Sequence, residues 1–293
     1  MATLRELKGR IGSVASSEKI TGAMKMISSA KMHKAETALR RLQPFRGQIE
    51  SIIGNLLSAD AEFSSPLIEL RPVNNLAIVV LGSDDGLCGA YNVNIFKVLM
   101  AQINAYRKQY GPDVNIDIFP VGGKIVKAVS RLSDPHLHMK IVEGVDSKTT
   151  GDGVKDFVAR LQSDFLAGEL DKIDVLYMSF KSVSKQRPTC EQLIPVVSET
   201  FQTNGVRESC RPYIFEPDAE TIFRTVLPMF LMAVMQDIFT ENRASEQAAR
   251  VMAMQSANDN AKKLLEQLQL EYNKLRQQSI TTELLDILGG QVR

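Results

Sequence analysis

Apolar residues at both ends of the chain recur every three or four positions, which is the spacing of one face of an α-helix. At the N-terminal end the pattern runs through Leu4, Leu7, Ile11, Val14, Ile20, Met24, Ile27, Ala35, Leu39, Leu42, Ile49, Ile52, Ile53, Leu56 and Leu57. It predicts a single helix over residues 4–57 that is kinked at Pro44. At ~1.5 Å per residue this helix approaches roughly 80 Å, which is longer than a compact domain.

The C-terminal end carries a second stripe, at the alternating spacing of a coiled-coil seam. Its positions are Ala244, Gln247, Val251, Met254, Asn258, Ala261, Leu265, Leu268, Tyr272, Leu275, Ser279 and Thr282. We predict a helix over residues 218–288, with Pro228 near its start and Gly289 and Gly290 ending it. Because neither long helix can bury its stripe alone, we expect the two to pair as an antiparallel coiled coil. The small and polar residues in the seam suit a rod whose outer faces contact other proteins.

Between the helices, short apolar runs alternate with helical patterns. The predicted strands cover residues 76–81, 114–121, 140–142, 173–180 and 193–197, and the predicted helices cover residues 93–110, 124–132 and 152–167. This alternation is typical of an α/β domain with a mainly parallel sheet. The chain therefore divides into an N-terminal helix (1–57), a small α/β domain (74–212) and a C-terminal helix (218–288).

Charge is unevenly distributed, although the formal net charge of the 293 residues is only +1. Residues 1–42 contain nine lysines and arginines against three glutamates. Such a basic helix fits nucleic acid, an anionic lipid surface or an acidic protein surface, and a solvated helix face is the plainer alternative. This stretch has no aromatic residue for base stacking, which argues against nucleic acid.

The sequence gives little sign of a membrane span or of a disulfide framework. The most apolar run, residues 226–235, contains Pro228 and is far shorter than the ~20 residues that a spanning helix needs. We therefore expect any membrane association to pass through partners. Cys88, Cys190 and Cys210 are widely separated, and we expect them to be buried, reduced thiols.

Two glycine-rich turns in the α/β domain are candidates for phosphate binding. Residues 82–89 (GSDDGLCG) follow a predicted strand at a GxxxGxxG spacing, but Asp84 and Asp85 put negative charge where a phosphate would lie. Residues 122–124 (GGK) lack the rest of a phosphate loop. We favour a tight structural turn, and we predict no catalytic residues, cofactor or metal site. The alternative is a nucleotide-binding α/β protein with helical arms.

Several longer motifs resemble one family in order and spacing, namely the gamma subunits of F-type ATP synthases of the bacterial type. They are residues 20–32 (ITGAMKMISSAKM), 83–89 (SDDGLCG), 241–246 (ENRASE), 252–254 (MAM), 257–261 (ANDNA), 272–277 (YNKLRQ) and 280–284 (ITTEL). The resemblance covers the whole chain and is greatest at both ends. Asp85 stands where the family has a basic residue.

This resemblance implies a rotor shaft inside a ring of alpha and beta subunits, which hold the nucleotide sites. It implies contacts with the epsilon subunit and the membrane ring of c subunits, and coupling of proton flow to ATP synthesis or hydrolysis by rotation. Met24 would face the beta subunits, and Arg250, Gln277 and Thr281 would act in coupling and in bracing the helices. The apolar tip, which includes Ile280, Leu284, Leu285 and Leu288, would turn in a sleeve.

The start of the sequence and its cysteines bear on location. The chain begins at Met1 without a transit-like segment and lacks a closely spaced pair of cysteines. We therefore expect a bacterial protein held peripherally on the cytoplasmic face of the inner membrane.

Overall fold

The computed structural model describes residues 3–57, 65–197, 216 and 218–290. The elements in these ranges are α1 (Leu4–Leu57), a short 3-10 helix (Pro66–Ile68), β1 (Asn75–Leu81), α2 (Tyr91–Tyr110), β2 (Asn115–Val121), α3 (Gly123–Val129), β3 (Leu137–Met139), α4 (Asp152–Leu166), β4 (Lys172–Ser182), β5 (Lys185–Ile194) and α5 (Ala219–Gly290).

The terminal helices form the longest feature of the molecule. α1 has 54 residues and continues through Pro44, and α5 has 72 residues and continues through Pro228. At ~1.5 Å per residue they extend over about 80 and 110 Å. They pack against each other along their length, which confirms the predicted antiparallel coiled coil. We call this pair the rod.

The α5 side of the seam is the predicted one, whereas the α1 side differs. Val251 and Met254 are buried on α5. On α1, however, Ile20 and Ile27 are 59% and 55% exposed, so their assignment to the seam was wrong. Buried Ser28 takes the seam position there. In this stretch the two helix backbones approach closely, so small side chains lie between them and the large apolar residues face outward. A prediction that places the largest apolar residues in the seam therefore fails here.

Ile52, further along α1, is also 44% exposed, in contrast to its predicted place on the buried stripe. Its neighbours Ile49, Ile53 and Leu56 are buried and take part in the core. The buried face here contacts the α/β domain as well as α5, and a stripe only one residue wide leaves Ile52 on its outer edge.

The sheet has the strand order β3-β2-β1-β4-β5. The first four strands are parallel and β5 runs antiparallel to β4, which confirms a mainly parallel sheet. Two predicted strands were misplaced. β3 covers Leu137–Met139 rather than 140–142, and β5 covers Lys185–Ile194 rather than 193–197. β5 is a half-exposed edge strand that follows β4 directly, so its sequence is mostly polar and lacks the apolar run of a central strand.

Alternate residues of the central strands enter two separate cores. In β1, Ala77, Val79 and Leu81 face one core, and Leu76, Ile78 and Val80 face the other. α2 and α3 cover the second face, whereas α4, the end of α1 and the beginning of α5 cover the first. The rod and the sheet thus share one apolar core.

This shared core explains the apolar start of α5. By length and composition, residues 220–285 include one stretch apolar enough to cross a membrane, with 56% of that stretch buried inside the protein. Phe223, Leu227 and Leu231 at its start belong to the sheet core, and a core helix passes the same test.

Of the cysteines, Cys88 is buried as expected and Cys190 is only half-buried, while Cys210 lies outside the described residues.

Candidate functional site

The turn after β1, residues 83–89, lies against the middle of α5. Ser83 and Asn92 brace it: the Ser83 N–H donates to Asn92 Oδ1 at 3.0 Å, and Asn92 Nδ2 donates to Ser83 Oγ at 2.8 Å. Leu87 adopts a left-handed backbone with φ 64° and has a 60% exposed side chain. The turn therefore directs its carbonyl groups toward α5.

Arg250 on α5 binds those carbonyl groups. Its Nε donates to Gly86 O at 3.1 Å, and its Nη2 donates to Asp85 O at 3.2 Å and to Glu246 Oε1 at 2.7 Å. The Arg250 and Glu246 side chains are 6% and 4% exposed. Burial raises the pKa of Glu246, and the neighbouring Arg250 only partly offsets this. The guanidinium therefore clamps the α/β domain to the helix from a buried position.

About two turns before Arg250 on α5, Asn242 joins the helix to the sheet. Its Oδ1 accepts from Tyr91 Oη at 2.7 Å and from the Met178 N–H at 3.2 Å, and its Nδ2 donates to Gly82 O at 3.3 Å. Burial raises the pKa of Tyr91 well above its ordinary value, so the phenol remains a hydrogen-bond donor. A buried amide thus links α5 with β1, β4 and α2.

A third contact engages the loop before α4. Arg243 donates to Ser147 O at 3.4 Å and to Thr149 O at 3.0 Å. Ser147 Oγ in turn donates to Asp84 Oδ2 at 2.6 Å. We call Arg250, Glu246, Asn242 and Arg243, with the backbone groups they bind, the joint.

In the glycine-rich turns, a backbone N–H group that could bind a phosphate is already hydrogen-bonded within the protein. The Gly123 N–H, in the second glycine-rich turn, donates to Asp84 Oδ1 at 2.9 Å. Burial alone would raise the pKa of Asp84, but hydrogen bonds from Ser147 and from the Gly123 N–H lower it below its ordinary value. The two glycine-rich turns are therefore bound to each other, and the first is also bound to α5, which favours a structural joint over the nucleotide-binding alternative.

A polar contact lies within the helical seam. Asn258 is 8% exposed, and its Nδ2 donates to Glu18 O at 2.7 Å and to Thr21 Oγ1 at 3.3 Å. A Cβ at Gly22 would lie 3.3 Å from Asn258 Nδ2. A buried amide of this kind fixes the register of two helices. The register brings Leu4 opposite about residue 275, because each helix advances ~1.5 Å per residue.

Beyond that point α5 continues alone among the described residues. Ile280, Leu284, Leu285, Ile287 and Leu288 are 49% to 63% exposed. About 15 residues, or roughly 22 Å of helix, project past α1. We call residues 280–288 the tip. Apolar side chains on several sides of one helix are typical of a helix that is surrounded by protein.

The structure distributes the predicted site residues along the rod. Met24 is half-buried on α1, whereas Gln277 and Thr281 are exposed near the tip. Arg250 lies in the joint, about 40 Å along α5 from Gln277. Arg250 contacts the turn of the α/β domain, and Thr281 Oγ1 donates to Gln277 O at 2.9 Å within its own helix. No single site brings these four residues together.

Sequence reasoning did not single out Asn242, Arg243, Glu246 or Asn258 as functional residues. The spacing of Glu246 and Arg250, four residues apart on a helix, was an available signal for that ion pair. The partners of the other three lie between 64 and 240 residues away along the chain. Only the tertiary fold brings them together.

The chain is thus a protein with two long antiparallel terminal helices and a small α/β domain joined to them by buried polar contacts. A family model described as ATP synthase matches residues 3–292. The ATP synthase gamma chain of Bacteroides thetaiotaomicron is 39% identical over the full length of both chains, and that of Psychrobacter cryohalolentis is 33% identical over 99% of this chain and 98% of its own. The chain belongs to the ATP synthase gamma chain family, whose members are subunits of a membrane-associated ATP synthase complex.

Solved structures show the same fold at lower identity. One is the mitochondrial ATP synthase of Euglena gracilis (OSCP/F1/c-ring, rotational state 3), with a TM-score of 0.65 and 20% identity over 98% of this chain and 93% of its own. Another is the central stalk and c-ring of the Tetrahymena thermophila mitochondrial enzyme, with a TM-score of 0.57 and 21% identity over 81% of this chain and 99% of its own.

Proposed function

We propose that this chain is the central rotor shaft of an F-type ATP synthase and is itself non-catalytic. It couples proton flow through a ring of c subunits to ATP synthesis or hydrolysis at sites held by alpha and beta subunits. The exposed apolar tip carries this proposal, because the several exposed leucines and isoleucines of a projecting helix can be buried only against another protein surface. The tip turns in an apolar sleeve at the top of the alpha and beta ring.

The outer face of α1 supports contacts with the same ring. Ile20, Met26 and Ile27 are 59%, 73% and 55% exposed beside a series of lysines and arginines. An apolar strip flanked by positive charge suits the acidic loops of beta subunits, and half-buried Met24 lies at the edge of this strip. Rotation presents the strip to each beta subunit in turn, and each conformation receives a different contact free energy.

The joint supports the transfer of torque. A shaft transmits rotation only if the domain that is driven and the helices that act on the ring turn as one body. The buried Arg250 clamp and the shared apolar core supply that rigidity. Arg250 therefore serves coupling from inside the protein, while Gln277 and Thr281 contact the ring near the tip.

The similar assemblies support a c-ring as a further partner, and the family resemblance adds the epsilon subunit. Those assemblies contain a central stalk with a c-ring, or F1 with OSCP and a c-ring. By analogy, the α/β domain contacts the c-ring and the epsilon subunit, and membrane association passes through these partners. The relatives named above are bacterial proteins, which supports a peripheral position on the cytoplasmic face of the inner membrane.

Reconstitution tests the proposal. Alpha and beta subunits are combined with and without this chain, attached to the membrane sector in vesicles, and assayed for ATP synthesis driven by a proton gradient. We expect synthesis only with the chain, and no ATP hydrolysis by the chain alone. Hydrolysis by the purified chain, or synthesis in its absence, would refute the shaft function.

A matched pair of variants tests the tip. Leu284→Ser combined with Leu285→Ser removes apolar surface from the tip, and Gln267→Ser changes an exposed polar position lower on α5. Both leave the urea midpoint of the isolated chain unchanged, because all three side chains are exposed. We expect reduced coupled synthesis for the tip variant alone. Equal synthesis by both variants would remove the tip from the mechanism.

A further inference from the structure

A cleft of about 830 Å³ lies between α1, α5 and the turns of the joint. Its lining includes the cationic residues Lys31, Lys34, Arg41, Lys148 and Arg243, the carboxylates Asp85 and Glu246, and the small or apolar residues Ala35, Ala38 and Leu42. This volume falls within the ~300–1,000 Å³ typical of small-molecule sites. The proposed rotor function gives this space no ligand, although Arg243 and Glu246 in its wall also belong to the joint.

The cations on α1 share one helical face. Lys31, Lys34 and Arg41 recur at helical spacing with exposed side chains. Within the described part of the chain, none of the three lies within 4.0 Å of a carboxylate, whereas Lys148 on the opposite wall lies 3.6 Å from Asp85. The α1 wall is therefore positively charged and unneutralised.

The α5 wall adds a partly desolvated cation. Arg243 donates to the carbonyl groups of Ser147 and Thr149, not to a carboxylate. Burial lowers the pKa of Arg243, and Glu246 and Asp146 only partly oppose this. Glu246 is itself bound to Arg250, so it neutralises little of the cleft. A guanidinium in this state gains from a nearby anion.

We propose that this cleft binds a small polyanion through a pyrophosphate group, held between the α1 cations and Arg243. Several cations that converge on one concave space from two helices match the several negative oxygens of such a group. An acidic protein segment is a less suitable occupant, because the cleft is bounded by α1, α5 and the loops of the joint. Ala35, Ala38 and Leu42 provide an apolar wall for any ring attached to the phosphates.

Isothermal titration of the purified full-length chain tests the proposal. Inorganic pyrophosphate and ATP are each titrated at low salt without divalent cations, with AMP and poly-glutamate as comparisons. We expect saturable 1:1 binding of pyrophosphate that weakens as salt is raised, and much weaker binding of AMP. Equal affinity for pyrophosphate and ATP identifies an inorganic ligand, and tighter binding of ATP identifies a nucleotide.

Charge-matched variants locate the binding. Lys34→Gln with Arg41→Gln removes two cleft cations, and Lys8→Gln with Lys19→Gln removes two exposed cations of the same helix outside the cleft. We expect at least about a tenfold loss of affinity in the first variant and little change in the second. Far-UV circular dichroism and the urea midpoint confirm that both are folded. Equal affinities in the two variants, absence of pyrophosphate binding at millimolar concentration, or tighter binding of poly-glutamate than of pyrophosphate would overturn the proposal.

Discussion

The buried pair of Arg250 and Glu246 gives the most direct test of the joint. Arg250→Met removes the guanidinium but retains much of the side-chain volume. The Glu246 carboxylate, 4% exposed, then loses its partner, and the carbonyl groups of Asp85 and Gly86 lose their donor. Breaking a buried ion pair from one side costs about 3–5 kcal/mol. We expect the free energy of unfolding to fall by about 4 kcal/mol.

The double variant Arg250→Met with Glu246→Leu separates the charge effect from lost packing. It removes both buried charges and leaves the two carbonyl groups without a donor, at about 1 kcal/mol each, while the long 3.5 Å hydrogen bond from Gln247 Nε2 to Glu246 is also lost. We therefore expect the double variant to be more stable than Arg250→Met by about 2 kcal/mol. Non-additivity of this size is typical of directly coupled residues.

The pH dependence gives a second readout. The pKa of Glu246 already lies above its ordinary value in the folded chain because the carboxyl is buried, and loss of Arg250 raises it further. A carboxyl with a raised pKa in the folded state favours folding below its unfolded pKa, and this advantage is lost as pH rises through the folded pKa. The deficit of Arg250→Met is therefore larger at pH 8 than at pH 5.

Urea denaturation followed by far-UV circular dichroism measures these differences, since the chain has no tryptophan. The parent chain and the three variants, including Glu246→Leu alone, are compared at both pH values. The reasoning fails if the double variant is no more stable than Arg250→Met, or if the deficit of Arg250→Met is the same at pH 5 and pH 8.

Three further predictions concern the seam and the turns. Gly22→Leu places a Cβ 3.3 Å from the Asn258 amide across the seam, so we expect the free energy of unfolding to fall by about 1–3 kcal/mol. Gly12→Leu has open space around it, so we expect the free energy of unfolding to rise by about 0.8 kcal/mol. Urea midpoints of the two variants that move in the same direction would contradict this. Gly122→Ala combines a φ of +108° with backbone atoms 3.0 Å from the new Cβ, so we expect a loss of about 2–4 kcal/mol by urea denaturation, and a parental midpoint would show that the turn relaxes. Asp84 has a lowered pKa in the folded chain, so the stabilisation it provides is present above pH 3.8 and is lost as pH falls through the folded pKa. Between pH 5 and pH 2.5 we therefore expect the free energy of unfolding to fall less in Asp84→Asn than in the parent chain. Identical pH profiles of the two chains would show that the Asp84 carboxylate does not stabilise the turn.

The α/β domain shows where single-chain patterns are informative. Strands β1, β2 and β4 were predicted to within a few residues because each is buried along most of its length and is mainly apolar, and β1 is a continuous apolar run. β5 was misplaced because an edge strand is half-exposed and carries mostly polar residues. Its position depends on pairing with β4, which local composition does not encode.

Less of the candidate site than of the fold could be predicted from the sequence. The apolar tip was expected from the family resemblance, and the structure shows those residues exposed on α5. The joint was not foreseen, because its buried polar residues look like ordinary solvated positions of a helix. What makes Asn242 and Arg243 important is the backbone of segments that lie far away in the chain.

The sequence by itself determined that the two ends are long helices, that they pair, and that parallel strands lie between them. Helical spacing and apolar runs are local signals, and the heptad pattern within α5 is enough to indicate that this helix pairs with another helix. The tertiary structure alone decided which face of α1 meets α5, since Gly22 and Ser28 take the seam while Ile20 and Ile27 face outward. Close backbone approach favours small residues there, and the outward isoleucines gain their burial only from a partner.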